Sequence, residues 1–449
     1  MTRGPAHAAS AVVLALALLA AKDASAAEPS KRALPDYEGR EPASATAGQV
    51  LLWVPRVVFS PLYFVSEYAI RRPLGALVTE AERRNLPEQV YDFFTFGPEH
   101  KAGWAPVAFV DFGVNPSVGL YGFWDDALFK GNDLRAHVAG WPDAWLGASL
   151  VQRIRLQEHE TLTLRFAGIK RPDYPFYGIG PNSLESDRSR YGADKFDASV
   201  RAAFHFWRAS KIESGVGVRS STFYNGSYGG DPGIVQSAQA GLYPLPDGFA
   251  RGYAAEMNHL SAALDSRRPF PEDGSGVRLE ASVDQGNGFG AMAPGGWVRW
   301  GLGAGGFLDL DGHRRVVSLS VQSLFADPIG RTTIPFTELL TLGGDSSPMP
   351  GFLPGRLIDR SAAVASLRYT WPIGPWLSGS MQAAAGNVFG EHLQGFDPRL
   401  GRLSAALGLQ SDGSPDSNFE LLVGLGTETF DHGGQVDSFR LTFGTTAGL

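Results

Sequence analysis

From residue 104 onward the chain is a long series of segments in which apolar and polar residues alternate one by one. In 361–371, Ala363, Ala365, Leu367, Tyr369 and Trp371 fall on one face, and Val364, Ser366, Arg368 and Thr370 on the other. In 276–288, Val277, Leu279, Ala281 and Val283 oppose Arg278, Glu280, Ser282 and Asp284. Near the C-terminus, Phe439, Leu441 and Phe443 oppose Ser438, Arg440 and Thr442. A period of two marks a strand with one apolar and one polar side. Such strands suit either a β-sandwich, whose apolar faces cover each other, or a transmembrane barrel, whose apolar face meets lipid. Segments of ten or more residues are long for a sandwich and fit a tilted membrane strand.

Sixteen segments of this kind follow one another: 104–114, 118–126, 132–140, 144–156, 160–170, 195–207, 211–223, 253–265, 276–288, 297–310, 313–325, 362–371, 376–389, 402–411, 418–427 and 437–446. The links after even-numbered segments are short (157–159, 209–210, 311–312, residue 374, and the longer 267–275). The long links, 171–194, 224–252, 326–361, 390–401 and 428–436, all follow odd-numbered ones. Short turns at one rim and long loops at the other are how outer-membrane barrels are built. The fold expected is therefore an all-β transmembrane barrel of about 16 antiparallel strands, spanning 104–449, with a short helical segment before it.

Composition fits that fold. The chain has no cysteine, which removes a disulfide framework and thiolate metal sites. Mean hydropathy is −0.10 with no long apolar run, which excludes a helical membrane protein and suits alternating strands. A net charge of −7 leaves no basic excess for nucleic acid. At the N-terminus, Arg3, the apolar run 11–20 and Ala24-Ser25-Ala26 read as a signal peptide over 1–26. Residues 27–49 read as a disordered leader, and 50–103 as a helical periplasmic or interfacial segment carrying Trp53, Tyr63 and the Arg71-Arg72 pair. Export to a bacterial outer membrane is the location expected.

Three stretches carry a family likeness. One is FYGIGPNSLESDRSRY, from Phe176 to Tyr191. Another holds Leu342-Gly343-Gly344, Gly351-Phe352, Gly355-Arg356 and Ile358-Asp359, and the third is Gly386-Asn387-Val388-Phe389. On these the chain resembles the bacterial surface-antigen barrels of the BamA/TamA superfamily. The resemblance makes the three stretches the third extracellular loop, the sixth loop, and the end of the thirteenth strand. It implies site residues Gly343, Gly344, Gly351, Phe352, Arg356 and Asp359 in the loop, with Arg368, Gly386, Asn387 and Phe389 on strands twelve and thirteen. The family loop carries Val-Arg-Gly-Phe, whose Arg meets acidic residues on those strands. Here the tetrad is Met349-Pro350-Gly351-Phe352, and the acidic positions correspond to Ser366 and Ala384. The charged lock is missing on both sides, so the loop must be held by other means, with Phe352, Arg356 and Asp359 as candidates. The family's POTRA domains are also missing, since 27–103 offers a helical pattern and no clear strands.

No catalytic, cofactor or metal constellation stands out. The histidines are scattered, with no pair at i, i+4, and there is no Gly-x-Ser-x-Gly elbow or P-loop. Arg153, Arg155, Arg165, Arg201, Arg219, Arg278, Arg299, Arg368 and Arg440 fall on inward faces. They would either tune a pore toward anions or pair with acids that fill the lumen. Two functions stay open. The resemblance implies a non-enzymatic assembly or translocation factor, whose partners would be outer-membrane lipid and client proteins; the alternative is a passive pore or structural barrel. A monomeric barrel is expected in both.

Overall fold

The alternating residues close into one barrel. The computed structural model describes residues 89, 92–141, 145–269, 274–290, 293, 295–344, 347–373, 377–411 and 419–445. Its sixteen barrel strands are β1 (Ala102–Asp111), β2 (Ser117–Trp124), β3 (Asn132–Trp141), β4 (Trp145–Arg155), β5 (Glu160–Phe176), β6 (Ser189–Trp207), β7 (Ser210–Asn225) and β8 (Tyr253–Asp265), then β9 (Gly276–Gly288), β10 (Gly296–Asp309), β11 (Val316–Ile329), β12 (Ser361–Pro372), β13 (Leu377–Phe389), β14 (Arg402–Ser411), β15 (Phe419–Thr427) and β16 (Val436–Thr445). Each pairs antiparallel with the next, and β16 returns to β1. Closure excludes the sandwich. No helix among the described residues is long and apolar enough to cross a membrane.

The alternation places apolar side chains outside. On β9, Val277 (60 % exposed) and Leu279 (54 %) face outward, while Arg278 turns inward and meets Glu280 at 3.0 Å. An outer surface this apolar is stable only against lipid. The inner wall is a ladder of charges running from β5 to β10. Arg165 and Arg219 share Asp197 at 3.4 and 3.0 Å, Arg299 reaches Asp284 at 3.5 Å, and Asp284 holds His259 at 2.7 Å. Arg201 and Glu213 continue the ladder at 3.0 Å. The inward arginines of this wall are therefore paired with acids.

Three expectations need correction. β5 and β6 run well past the expected 160–170 and 195–207, forming a ribbon that extends above the barrel. Pro172 and Pro175 suggest a strand end, but a shift of register between Arg171 and Tyr174 absorbs the first of them in a bulge. β11 begins at Val316 rather than 313, because Asp309 accepts from the Gly312 amide (3.0 Å) and Asp311 from that of His313 (3.0 Å), which lengthens the turn. Before the barrel, helical backbone at Asp92–Phe94 gives way to a two-residue strand, Thr95–Phe96, paired with Gly103 and Ala102 of β1. The Phe93 and Phe94 rings cover Trp104 at 6.1 and 4.9 Å, which fixes this fold-back. The signal peptide, the leader and the rest of the helical segment lie outside the described residues.

Candidate functional site

The link between β11 and β12 enters the barrel and touches opposite walls. Its first foothold is a short turn, Phe336–Glu338. Phe336 is fully buried among Phe176, Tyr191 and Phe223, with ring centroids 5.7, 5.1 and 4.9 Å away. Glu338, 1 % exposed, meets Arg219 of β7 at 3.0 Å and Arg299 of β10 at 3.3 Å, and accepts the Tyr253 hydroxyl. Burial pushes the Glu338 carboxyl up, but the two guanidinium groups outweigh it and hold it below the ordinary glutamate range.

Beyond this foothold Leu340–Leu342 pairs with Leu357–Asp359 as a two-stranded ribbon, which carries the tip to the other wall. Met349 and Phe352 are fully buried there, packed with Leu342, Leu357, Ala362, Val364, Ala384 and Val388. Gly351 is pressed onto the inner faces of the last strands. Its amide donates to Ser404 Oγ of β14 (2.9 Å), and its carbonyl accepts from Ser438 Oγ of β16 (2.9 Å). A Cβ on Gly351 would overlap the Leu425 carbonyl oxygen, so this seat admits only glycine. Gln382 of β13 donates to the Pro348 carbonyl at 2.7 Å.

The residues in place of the family's charged lock are neighbours. Ser366 and Ala384 face each other in register across β12 and β13. Both are buried, and Ser366 Oγ hydrogen-bonds Ser320 Oγ at 2.8 Å. A carboxylate beside Met349 and Val364 would be desolvated without a partner, so the apolar tip and the neutral wall belong together.

The three stretches of resemblance meet behind the tip. Arg356 is fully buried and donates to the Ser183 carbonyl (2.9 Å) and hydroxyl (2.8 Å). It also pairs with Glu185 and Asp437, each at 3.3 Å. Asn387 donates to the carbonyls of Pro181 (3.1 Å) and Leu400 (2.6 Å). Arg402, which the sequence did not single out, is fully buried beside them, on the Ser183 carbonyl at 2.7 Å and Glu428 at 3.2 Å. Burial raises the Glu185 carboxyl above its usual range despite Arg356 and Arg188. Two guanidinium groups thus bind the third-loop stretch to the loop and to β14 and β16.

The other expected residues are more dispersed. Gly343 and Gly344 lie at the tip's entry, against Leu353 and Pro354. Asp359 is buried, and its carboxylate accepts from the Arg360 amide at 2.7 Å. Arg368 points into the lumen lower on β12 and bonds Gln410 at 2.6 Å. Gly386 packs on Val364, and the Phe389 ring meets that of Phe396 at a tilt, with centroids 5.1 Å apart. Asp327 near the end of β11 comes together with Glu391 and His392 of the loop after β13, but Arg360 already spans the two acids at 3.4 and 3.0 Å.

The tip also lies beside the seam between β16 and β1. Three register pairs join these strands, Thr442–Asp111, Phe443–Val110 and Gly444–Phe109, whereas every other pair of barrel neighbours shares seven or more among the described residues. At the lower end Gly444 takes φ 140°, with its backbone against the Ala108 carbonyl, a bend that a side chain would obstruct. A buried ion pair closes the top: Arg440 Nε and Nη2 grip Asp111 at 3.0 and 2.7 Å.

No protein-family model matches this chain, and no curated protein does. Among solved structures it is similar to BamA from Haemophilus ducreyi lacking POTRA domains 1–3, at 15% identity and TM-score 0.51, over 77% of this chain and 70% of that one. CdiB from Acinetobacter baumannii (13%, TM-score 0.48, 77% and 59% covered) and CdiB from Escherichia coli (11%, 0.48, 78% and 64%) are more distant. Identity this low speaks to fold, and the fold of this chain is a sixteen-stranded BamA-like barrel of the outer-membrane type.

Proposed function

We propose that this barrel assists the insertion or export of outer-membrane or surface molecules, with the β1–β16 seam as its working edge. The observation that carries the reading is the seam itself: among the described residues it has three register pairs, in a wall otherwise joined by seven or more. A barrel built only to enclose a pore gains nothing from one weak junction, whereas a protein that admits a strand or a lipid sideways needs one. The BamA-like fold supports the same reading. A passive pore has less support, because the loop crosses the lumen and the arginines of the facing wall are paired. Export through a signal peptide at 1–26 belongs to the proposal.

A cysteine-free chain makes the test direct. Val110→Cys with Phe443→Cys places two thiols on seam partners. Oxidation should abolish assembly of client proteins while the folded barrel persists, and reduction should restore it. Full activity with the seam covalently shut would sink the proposal.

A further inference from the structure

We infer that the Arg440–Asp111 ion pair is a clasp on the seam that is keyed by the loop tip; this rests on the seam being the working edge. Arg440 is fully buried and Asp111 is 3 % exposed. The guanidinium makes three contacts to the carboxylate, at 3.0, 3.2 and 2.7 Å, and Thr442 Oγ1 adds a fourth contact to Asp111 at 3.4 Å. A buried ion pair holds only when its remaining donors are satisfied. One of those donors, Arg440 Nη1, points at the Pro350 carbonyl at 3.4 Å.

That carbonyl belongs to the tip. The next residue, Gly351, is fixed by Ser438 two positions before Arg440 on β16, and by Ser404 on β14. The seated tip therefore touches β14 and β16 directly, and β1 through Arg440. Withdrawing it would strip the guanidinium of an acceptor and open the pair to lumenal water, where an ion pair is weak. Beneath it the described residues form three register pairs, and with the clasp undone the seam would then be free to part. Position 350 thus serves the seam with its backbone oxygen, and the Arg–carboxylate pair lies between β16 and β1 instead of between the loop and β12–β13.

The experiment follows disulfide formation between Val110→Cys and Phe443→Cys in barrels reconstituted in lipid vesicles. Asp111→Asn removes the clasp directly. Gly351→Ala unseats the tip without altering any seam residue, since its Cβ has no room. A second pair, Leu279→Cys with Ala304→Cys across β9 and β10, reports whether the barrel wall stays intact. Each of Asp111→Asn and Gly351→Ala should slow the seam disulfide by about tenfold or more. The two together should slow it no further than one alone, and the control pair should be unaffected. A seam that slows with Asp111→Asn but ignores Gly351→Ala would overturn the coupling, and one that ignores both would overturn the clasp. The readout is geometric, so either failure leaves the assembly reading standing. A seam-locked barrel that still assembles clients would remove that reading and leave the clasp.

Discussion

The two footholds of the long loop hold the same segment by opposite means. At Phe336–Glu338 a carboxylate sits between Arg219 and Arg299, ringed by aromatic side chains. At Met349–Phe352 the loop brings no charge of its own; two apolar side chains and a glycine fit a floor of small apolar and serine side chains, and Arg440 reaches the Pro350 carbonyl. The first is an electrostatic anchor on β7 and β10, and the second a shape fit on β12 to β16. The contrast accounts for the missing lock. Once Glu338 pins the loop on one wall, the tip needs fit and not charge on the other.

The largest effect should come from Glu338→Ala. It leaves Arg219 and Arg299 facing each other across an empty site, and breaking a buried pair by removing one partner costs about 3–5 kcal/mol. Both arginines keep a second acid, so the lower end applies. Denaturant unfolding in detergent should show it, with Glu338→Gln recovering part of the loss. Phe352→Ala should cost about 3 kcal/mol through the cavity it leaves. The glycine wall beneath the ring, including Gly426, cannot collapse to fill it. A loss that does not change with pH at this position, against one at Glu338 that fades as pH falls through its lowered carboxyl value, would sharpen the contrast; the same pH response at both would break it.

Arg356→Lys should be milder, about 1–2 kcal/mol, since an ammonium keeps the charge but cannot reach Ser183, Glu185 and Asp437 together. The smallest effect is on pH dependence. The depressed Glu338 carboxyl contributes stability that is present above the ordinary glutamate pKa and lost as pH falls through its lowered folded value. Glu185, raised by burial, acts in the reverse sense and gains as pH falls through its raised value. Proteolysis of the loops should therefore become sensitive to Glu338→Gln only toward neutral pH. A variant that matches the parent at neutral pH would contradict the anchor.

Much of the barrel was legible in the residues. The bounds of β8, β9 and β14 agree with the alternation to the residue, because turn-forming residues flank a clean period of two. Strand ends blurred where local signals mislead, at the prolines of β5 and the aspartates before β11. The site was legible only in part. Phe352 and Arg356 stood out through resemblance, and both are buried where the loop meets the wall. Glu338 looked like any loop acid, since its worth comes from two arginines on distant strands. The Asp111–Arg440 pair spans 329 residues, and no local pattern announces a contact that only closure creates. Arg402 was hidden for the same reason: it begins a strand, and its partners come from the loops after β5 and β15.

Planar-bilayer conductance tests the central claim most directly. A loop fixed on both walls should leave the unmodified barrel closed, and Glu338→Ala should open an anion-preferring channel, because removing that carboxylate leaves the inner wall with an excess of guanidinium charge. A steady open channel in the unmodified barrel, unchanged by Glu338→Ala, would contradict it.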